Sequence, residues 1–299
     1  LSRPKTASPS ASPSTEPAGV AHLLLRGNLL RNNLGHPAAI DAVLFDKDGT
    51  LSISEPMLQT LAQARVFACL QLLAERHPDC SSQDGILQDL LQRAYGLTSS
   101  GDVHPAGTTA VGSRAHNLIS TATVLAQVGL GWPEALELAE AVFASTDGLH
   151  GQGSPERPQA TAGLHELVAQ LTAAGVRCAV ISNDEIPGIE AFLQSHALHD
   201  HFAGLWSAEH TPRKPDPAAV HGLCALLGVA PERCALIGDA NSDLRMARGA
   251  GVPVVLGYTA AWRTTPALDP SFEQLQHWSE LQVAPGTGPA DPQRIGSCV

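Results

Sequence analysis

Ala42-Val43-Leu44-Phe45-Asp46-Lys47-Asp48-Gly49-Thr50 is the stretch whose reading decides the fold. Its short apolar run predicts a buried strand over Ala42–Asp46. The strand ends on two carboxylates one residue apart, which are costly to keep so close together. In such a pair a cation holds one carboxylate ionised while the other tends to keep its proton. That division suits a nucleophile, Asp46, beside a general acid/base, Asp48. Gly49 and Thr50 then permit a sharp exit turn.

Working outward, further short apolar runs predict strands at Val176–Ser182, Gly204–Ser207, Cys234–Asp239 and Pro253–Gly257. Helical patterns lie between them. One, at 159–174, places Leu164, Leu167, Val168 and Leu171 on a single face and stops at Gly175; another runs from Pro217 to Leu227 and stops at Gly228. Strand–helix alternation of this kind implies an α/β fold, a doubly wound parallel sheet with helices on both faces. One region breaks the rhythm. From 55 to about 150 only helical patterns occur (55–76, 84–95, 114–129 and 133–146), with Pro133 suited to a first turn. An all-helical insertion there reads as a separate cap domain over 52–158, hinged at Ser52–Glu55 and Gly151–Gln159. The α/β core then comprises 20–51 and 159–283. The Ser/Pro-rich 1–19 and Gly/Pro-rich 284–299 are expected to be disordered tails.

Composition narrows the partners. The formal charge of −11 and pI near 5.5 argue against sequence-independent nucleic-acid binding and against an anionic membrane surface. A phosphorylated metabolite is not disfavoured, because one metal ion and one or two cations can supply charge locally. The lysines are Lys5, Lys47 and Lys214. The six cysteines show neither CxxC nor zinc-ligand spacing, and Cys178 and Cys234 sit in apolar runs as buried thiols, which fits a reducing, cytoplasmic setting. No apolar run reaches the ~18–20 residues of a membrane span, since Arg26 and Asn28 break the leucine-rich 23–30. The N-terminus has no secretory pattern; a Ser-rich transit peptide is the alternative, weakened by Glu16 and the lack of an arginine face.

Three further signals follow the first in order. Ser182 closes Val176–Ser182, Lys214 stands in Arg213-Lys214-Pro215-Asp216-Pro217, and Gly238-Asp239-Ala240-Asn241-Ser242-Asp243 follows another strand. Together with Asp46–Thr50 they resemble the four motifs of the haloacid dehalogenase superfamily, over about residues 41–258, with the helical insertion where that family places a cap. The resemblance implies a Rossmann-like core and a magnesium-dependent phosphatase. By it, Asp46 would attack phosphorus and form an aspartyl-phosphate; Asp48 would protonate the leaving oxygen and then activate water. Ser182, Asn183 and backbone N–H groups would hold phosphoryl oxygens, while Lys214 would neutralise charge and keep Asp46 ionised. Asp46, Asp239, Asp243 and the backbone carbonyl of Asp48 would attend the Mg²⁺, an oxygen-only site suited to that ion. The blander readings are a helix-dipole role for Asp243 and an ordinary strand-end serine at Ser182. The family usually has an apolar or aromatic residue between the two aspartates; here it is Lys47, whose side chain should reach solvent or an acidic partner.

Asp48 separates the relatives. Dehalogenases of this fold resemble the family without the second aspartate, P-type ATPases carry Thr there, and phosphonatases use a cap lysine that 52–158 lacks. A mutase resembling β-phosphoglucomutase stays open, as does a catalytically silent scaffold, although both aspartates are present. Arg114 and His116 open the 114–129 helix after the Gly101–Gly112 loop, so Arg114 is a candidate reader of a substrate carboxylate, with a solvated helix start as the alternative. Phosphoglycolate phosphatases share this cap type and motif order, which makes phosphoglycolate the leading substrate.

Overall fold

In the computed structural model, which describes residues 20–79, 84–149 and 158–284, the chain opens on a hairpin of β1 (His22–Leu25) and β2 (Asn28–Leu29). Its two turn residues, Arg26 and Gly27, both take positive φ (51° and 77°), the twist that two-residue hairpins favour. Next come β3 (Ala42–Phe45) and β4 (Ser52–Ile53). The helices α1 (Glu55–Arg76), α2 (Asp84–Tyr95), one-turn α3 (Thr108–Val111), α4 (Arg114–Gln127) and α5 (Trp132–Thr146) follow without an intervening strand. The remainder runs β5 (Gln159–Ala160), α6 (Leu164–Ala173), β6 (Arg177–Ile181), α7 (Ile186–Ser195), β7 (Phe202–Trp206) and α8 (Pro217–Leu227). It ends with β8 (Cys234–Gly238), α9 (Asn241–Gly249), β9 (Val254–Tyr258), β10 (Glu273–Leu275) and β11 (Leu281–Ala284).

Six strands form one parallel sheet in the order β10-β9-β8-β3-β6-β7. The first of them in the chain, β3, is central: β6 pairs on one side and β8 on the other, so the winding reverses at its carboxyl end. That crevice is where open α/β sheets bind ligands. Period-two alternation divides the central strands between two cores. Val43, Phe45, Cys178, Val180, Ala235 and Ile237 pack with α6, α7 and β1, while Ala42, Leu44, Ala179, Ile181, Cys234 and Leu236 pack with α8 and α9. Fully apolar strands are what a sheet covered on both faces requires. The helix ends follow local chemistry. Asp216 caps α8 by accepting from Ala218 N at 2.9 Å, Pro217 fills its first turn, and Gly228 stops it at φ 64°.

Helices α1, α2, α4 and α5 build a third core of their own, including Ala62, Val66, Cys69, Leu87, Leu91, Tyr95, Leu125, Leu138 and Phe143. Helix α1 is 22 residues long with a hydropathy of 1.2, so by length and composition it qualifies as a span, contrary to the expectation that no apolar run is long enough. Its apolar stripe is instead the spine of this helical core. The hinge expected at Ser52–Glu55 is a paired element: β4 lies antiparallel to β5, with Ser52 opposite Ala160 and Ile53 opposite Gln159, and Glu55 already opens α1. The same pairing is why the helix expected from 159 starts at Leu164. Most of the other expected hinge, and the tails 1–19 and 285–299, lie outside the described residues.

The sequence reading missed a small antiparallel sheet, β11-β1-β2, laid against α6. Its strands have two to four residues each, too short for a periodic signal.

Candidate active site

The carboxyl ends of β3, β6 and β8 and the helical unit enclose one cavity of about 380 Å³. All eight residues singled out from the sequence line it: Asp46, Asp48, Arg114, Ser182, Asn183, Lys214, Asp239 and Asp243. Strand register produces this convergence. Asp46 follows β3 directly, Ser182 follows β6 and Asp239 follows β8, so neighbouring parallel strands deliver three side chains to one edge.

Lys214 stands at the centre of the sheet wall. Its Nζ donates to Asp46 Oδ1 at 2.6 Å and to the Ile181 carbonyl at 3.3 Å, and pairs with Asp243 Oδ1 at 2.9 Å. Asp46, Asp239 and Asp243 are all buried, and each offers a carboxylate oxygen within 4.8 Å of the others. Burial pushes Asp46 up to about 6 despite the Lys214 ammonium, with Asp243 and Asp48 adding to the rise. Burial, with Asp46 and Asp243 adding to it, raises Asp239 well above the ordinary carboxylate range. Burial works against the Lys214 ammonium too, but Asp243 and Asp46 outweigh it and hold the lysine firmly charged. Three carboxylates against one lysine leave a formal surplus of two negative charges in a low-dielectric pocket. An all-oxygen donor set with that surplus fits a hard divalent cation.

Gly49 makes this packing possible. It sits at φ 84°, and a Cβ there would collide with Asp239 Oδ2 and Trp262 Nε1. Trp262 Nε1 donates to Asp239 Oδ2 at 2.6 Å and Thr50 Oγ1 to Oδ1 at 3.3 Å, so the carboxylate is held from both sides. The indole also packs on Met57 and Leu58 of α1 and on Val103.

Asp48 stands slightly apart. Its Oδ1 accepts from Lys47 Nζ at 2.7 Å, from Ser52 Oγ at 3.3 Å and from Ser54 Oγ. Lys47, the unusual residue between the aspartates, takes the acidic-partner alternative. It is buried and bridges Asp48 to Asp184 Oδ2 at 3.0 Å, tying the β3 loop to the β6–α7 loop. Ser182 Oγ accepts from Asp184 N at 3.1 Å, and Asn183 Nδ2 donates to the Val111 carbonyl of α3 at 2.9 Å, a link from sheet loop to helical unit.

On the helical wall Arg114 is engaged: Asp147 accepts from its Nε at 3.1 Å and from its NH2 at 2.6 Å. His116 belongs to helix capping, its ring accepting from Ser113 N at 3.3 Å while Ser113 Oγ accepts from His116 N. The sequence reading passed over Arg65, which also lines the cavity. The signal was present. Arg65 falls in the register of Leu58, Leu61, Ala62 and Cys69, a cation on the buried stripe of α1. Trp262 and Asp184 gave no such signal, because their roles depend on contacts remote in sequence.

Similarity to known proteins agrees with this geometry. The family model for haloacid dehalogenase-like hydrolases matches residues 40–251. The chain belongs to that family, as an enzyme of the phosphatase kind. Among curated relatives, the phosphoglycolate phosphatase of Yersinia pestis is 30% identical over 261 residues, covering 86% of this chain and 98% of that protein. That of Thiobacillus denitrificans is 28% identical over 219 residues, covering 73% and 83%. A crystal structure of a predicted phosphoglycolate phosphatase from Haemophilus somnus aligns with TM-score 0.55 at 18% identity, covering 81% of this chain and 96% of that one, which bears on the fold.

Proposed function

We propose that this chain hydrolyses a small phosphorylated metabolite through an aspartyl-phosphate on Asp46, with Mg²⁺ as cofactor and phosphoglycolate as the first substrate to test. The observation that carries the reading is the Asp46–Lys214–Asp243 network, with Asp239 beside it, buried at the switch point of the sheet and facing the cavity. A divalent ion held by Asp46, Asp239, Asp243 and the Asp48 carbonyl would supply the positive charge that phosphoryl oxygens need.

The chain's own residues account for the rest. Lys214 keeps Asp46 oriented and anionic for in-line attack. Ser182 and Asn183, with neighbouring backbone N–H groups, receive the phosphoryl oxygens opposite. Asp48 gives its proton to the leaving oxygen and then, as carboxylate, takes one from the water that cleaves the acyl phosphate. Its Oδ1 accepts from Lys47, Ser52 and Ser54, which hold the carboxyl group in place. The helical unit, as a cap, excludes water until the intermediate has formed. The phosphoglycolate phosphatases among the relatives support the choice of substrate.

Asp46→Asn tests the mechanism. It should lower turnover of 4-nitrophenyl phosphate at least about a thousandfold, as loss of a nucleophile does, while circular dichroism stays unchanged. Activity within tenfold of the parent would sink the assigned role.

A further inference from the structure

The two arginines of the helical wall are in unlike states. Arg114 spends its guanidinium on Asp147, and both side chains are about two-fifths exposed (41% and 40%). Arg65 is buried, its side chain 6% exposed, yet none of its N–H groups makes a hydrogen bond among the described residues. Its NH2 lies 3.8 Å from Asp147 Oδ1, beyond bonding reach, and its Nε has no partner. One face of the guanidinium lies 3.9 Å over the Phe143 ring, which leaves its edge to point elsewhere. Burial lowers its pKa to about 10, so it stays charged at neutral pH.

A buried guanidinium carries five donors, and leaving them unmet is costly unless something else supplies acceptors. Arg65 shares its cavity with Asp46 and Lys214, so a substrate whose phosphoryl group sits at the sheet wall would direct its leaving-group substituent here. Among the described residues Thr109 Oγ1 and Asn117 Oδ1 on the same wall also have no hydrogen-bond partner. The helical unit's own side chains lining this corner carry one net positive charge, Arg65 and Arg114 against Asp147, with Glu185 of the β6–α7 loop lining the same cavity near Arg114.

Resting on the phosphatase reading, we infer that Arg65 is the residue that reads a carboxylate on the substrate's leaving group, and that Asp147 sets the subsite for one negative charge. A carboxylate offers two coplanar acceptors that match a guanidinium edge. A second phosphate, with nearly twice the charge, would need both arginines released. Asp147 holds one of them back.

The test uses the full chain with Mg²⁺ and four phosphates: 2-phosphoglycolate, its neutral analogue 2-hydroxyethyl phosphate, ethylene glycol bisphosphate and 4-nitrophenyl phosphate. The parent should prefer phosphoglycolate over the neutral analogue at least tenfold in kcat/KM and should not prefer the bisphosphate. Arg65→Gln should cut the phosphoglycolate to 4-nitrophenyl phosphate ratio at least tenfold, and Arg65→Lys should restore part of it. Asp147→Asn should raise the bisphosphate relative to phosphoglycolate at least fivefold. Equal use of phosphoglycolate and its neutral analogue by the parent would overturn the inference, even if the Arg65 variants failed to fold. So would an unchanged ratio in a folded Arg65→Gln protein. A parent that hydrolyses 4-nitrophenyl phosphate but shows no preference for phosphoglycolate counts against the Arg65 inference alone; no turnover of any phosphate by the parent defeats the phosphatase reading and this inference together.

Discussion

The two walls of the cavity hold similar side chains in opposite balance. On the sheet wall one lysine faces three buried carboxylates, and its ammonium is bonded to two of them. On the helical wall Arg65 and Arg114 share the carboxylate of Asp147, and among the described residues the more buried arginine has no hydrogen-bonded acceptor. The sheet wall therefore lacks positive charge and the helical wall lacks negative charge. On the proposed reading a metal ion would complete the first and an anionic substituent the second, dividing chemistry and selectivity between the parallel sheet and the helical insertion. Burial makes the imbalance matter, because in a low-dielectric site uncompensated charge is expensive.

The sharpest way to break that division is at Asp48, the proposed general acid/base. Asp48→Asn should lower kcat for an alkyl phosphate by roughly 10²–10⁴-fold, the usual range for a general acid/base, and by much less for 4-nitrophenyl phosphate, whose leaving group needs little protonation. Equal losses across leaving groups of widely different pKa would remove Asp48 from that role.

A smaller effect concerns the charge surplus of the sheet wall. Asp46 moves from 3.8 to about 6 on folding, and Asp239 moves in the same direction. A raised carboxylate favours the folded state most below the unfolded pKa, and that contribution is lost as pH climbs through the folded value. For Asp46 alone this amounts to roughly 3 kcal/mol at 1.36 kcal/mol per unit. Metal-free protein should therefore lose stability in urea between pH 4 and pH 7, and Mg²⁺ should stabilise it far more at pH 7.5 than at pH 5. Asp239→Asn should flatten the metal-free profile. In the same titration chelation should abolish activity, Mg²⁺ should restore it and Ca²⁺ should inhibit, since its looser coordination lets both oxygens of the nucleophilic carboxylate bind. Full activity after exhaustive chelation would refute the metal role.

The smallest effect is expected at Arg114. Half-exposed and paired with Asp147, it holds an interaction worth about 1 kcal/mol at most, so Arg114→Ala should change kcat/KM for phosphoglycolate less than about fivefold. A loss larger than that of Arg65→Gln would exchange the roles of the two arginines.

Much of this was legible before any coordinates. The strands read from apolar runs end within a residue or two of the observed ones, because a strand covered on both faces must be apolar throughout. Helices α1, α2 and α8 were bounded correctly by their patterns and by Gly228. Asp46, Ser182 and Asp239 could be located because each follows an apolar run at a strand end, while Lys214 and Asp243, in a loop and a helix, were named only through the resemblance of their motifs to the haloacid dehalogenase family. Sequence also determined that Lys47 needed an acid or water, since an ammonium cannot be buried alone.

Tertiary structure alone decided which acid that was. Asp184 reaches Lys47 from another loop, Trp262 reaches Asp239 from beyond β9, and β11 returns from the far end of the described chain to pair with β1. It also distinguished the surroundings of two arginines: Arg114 follows a glycine-rich loop and is bonded to Asp147, whereas Arg65 lies mid-helix on a buried stripe, over Phe143 and 3.8 Å from Asp147, and lines the cavity. Periodicity and strand-end chemistry are local, so one chain suffices to read them. The partner of a buried charge is set by packing between segments remote in sequence, and only the folded chain contains that information.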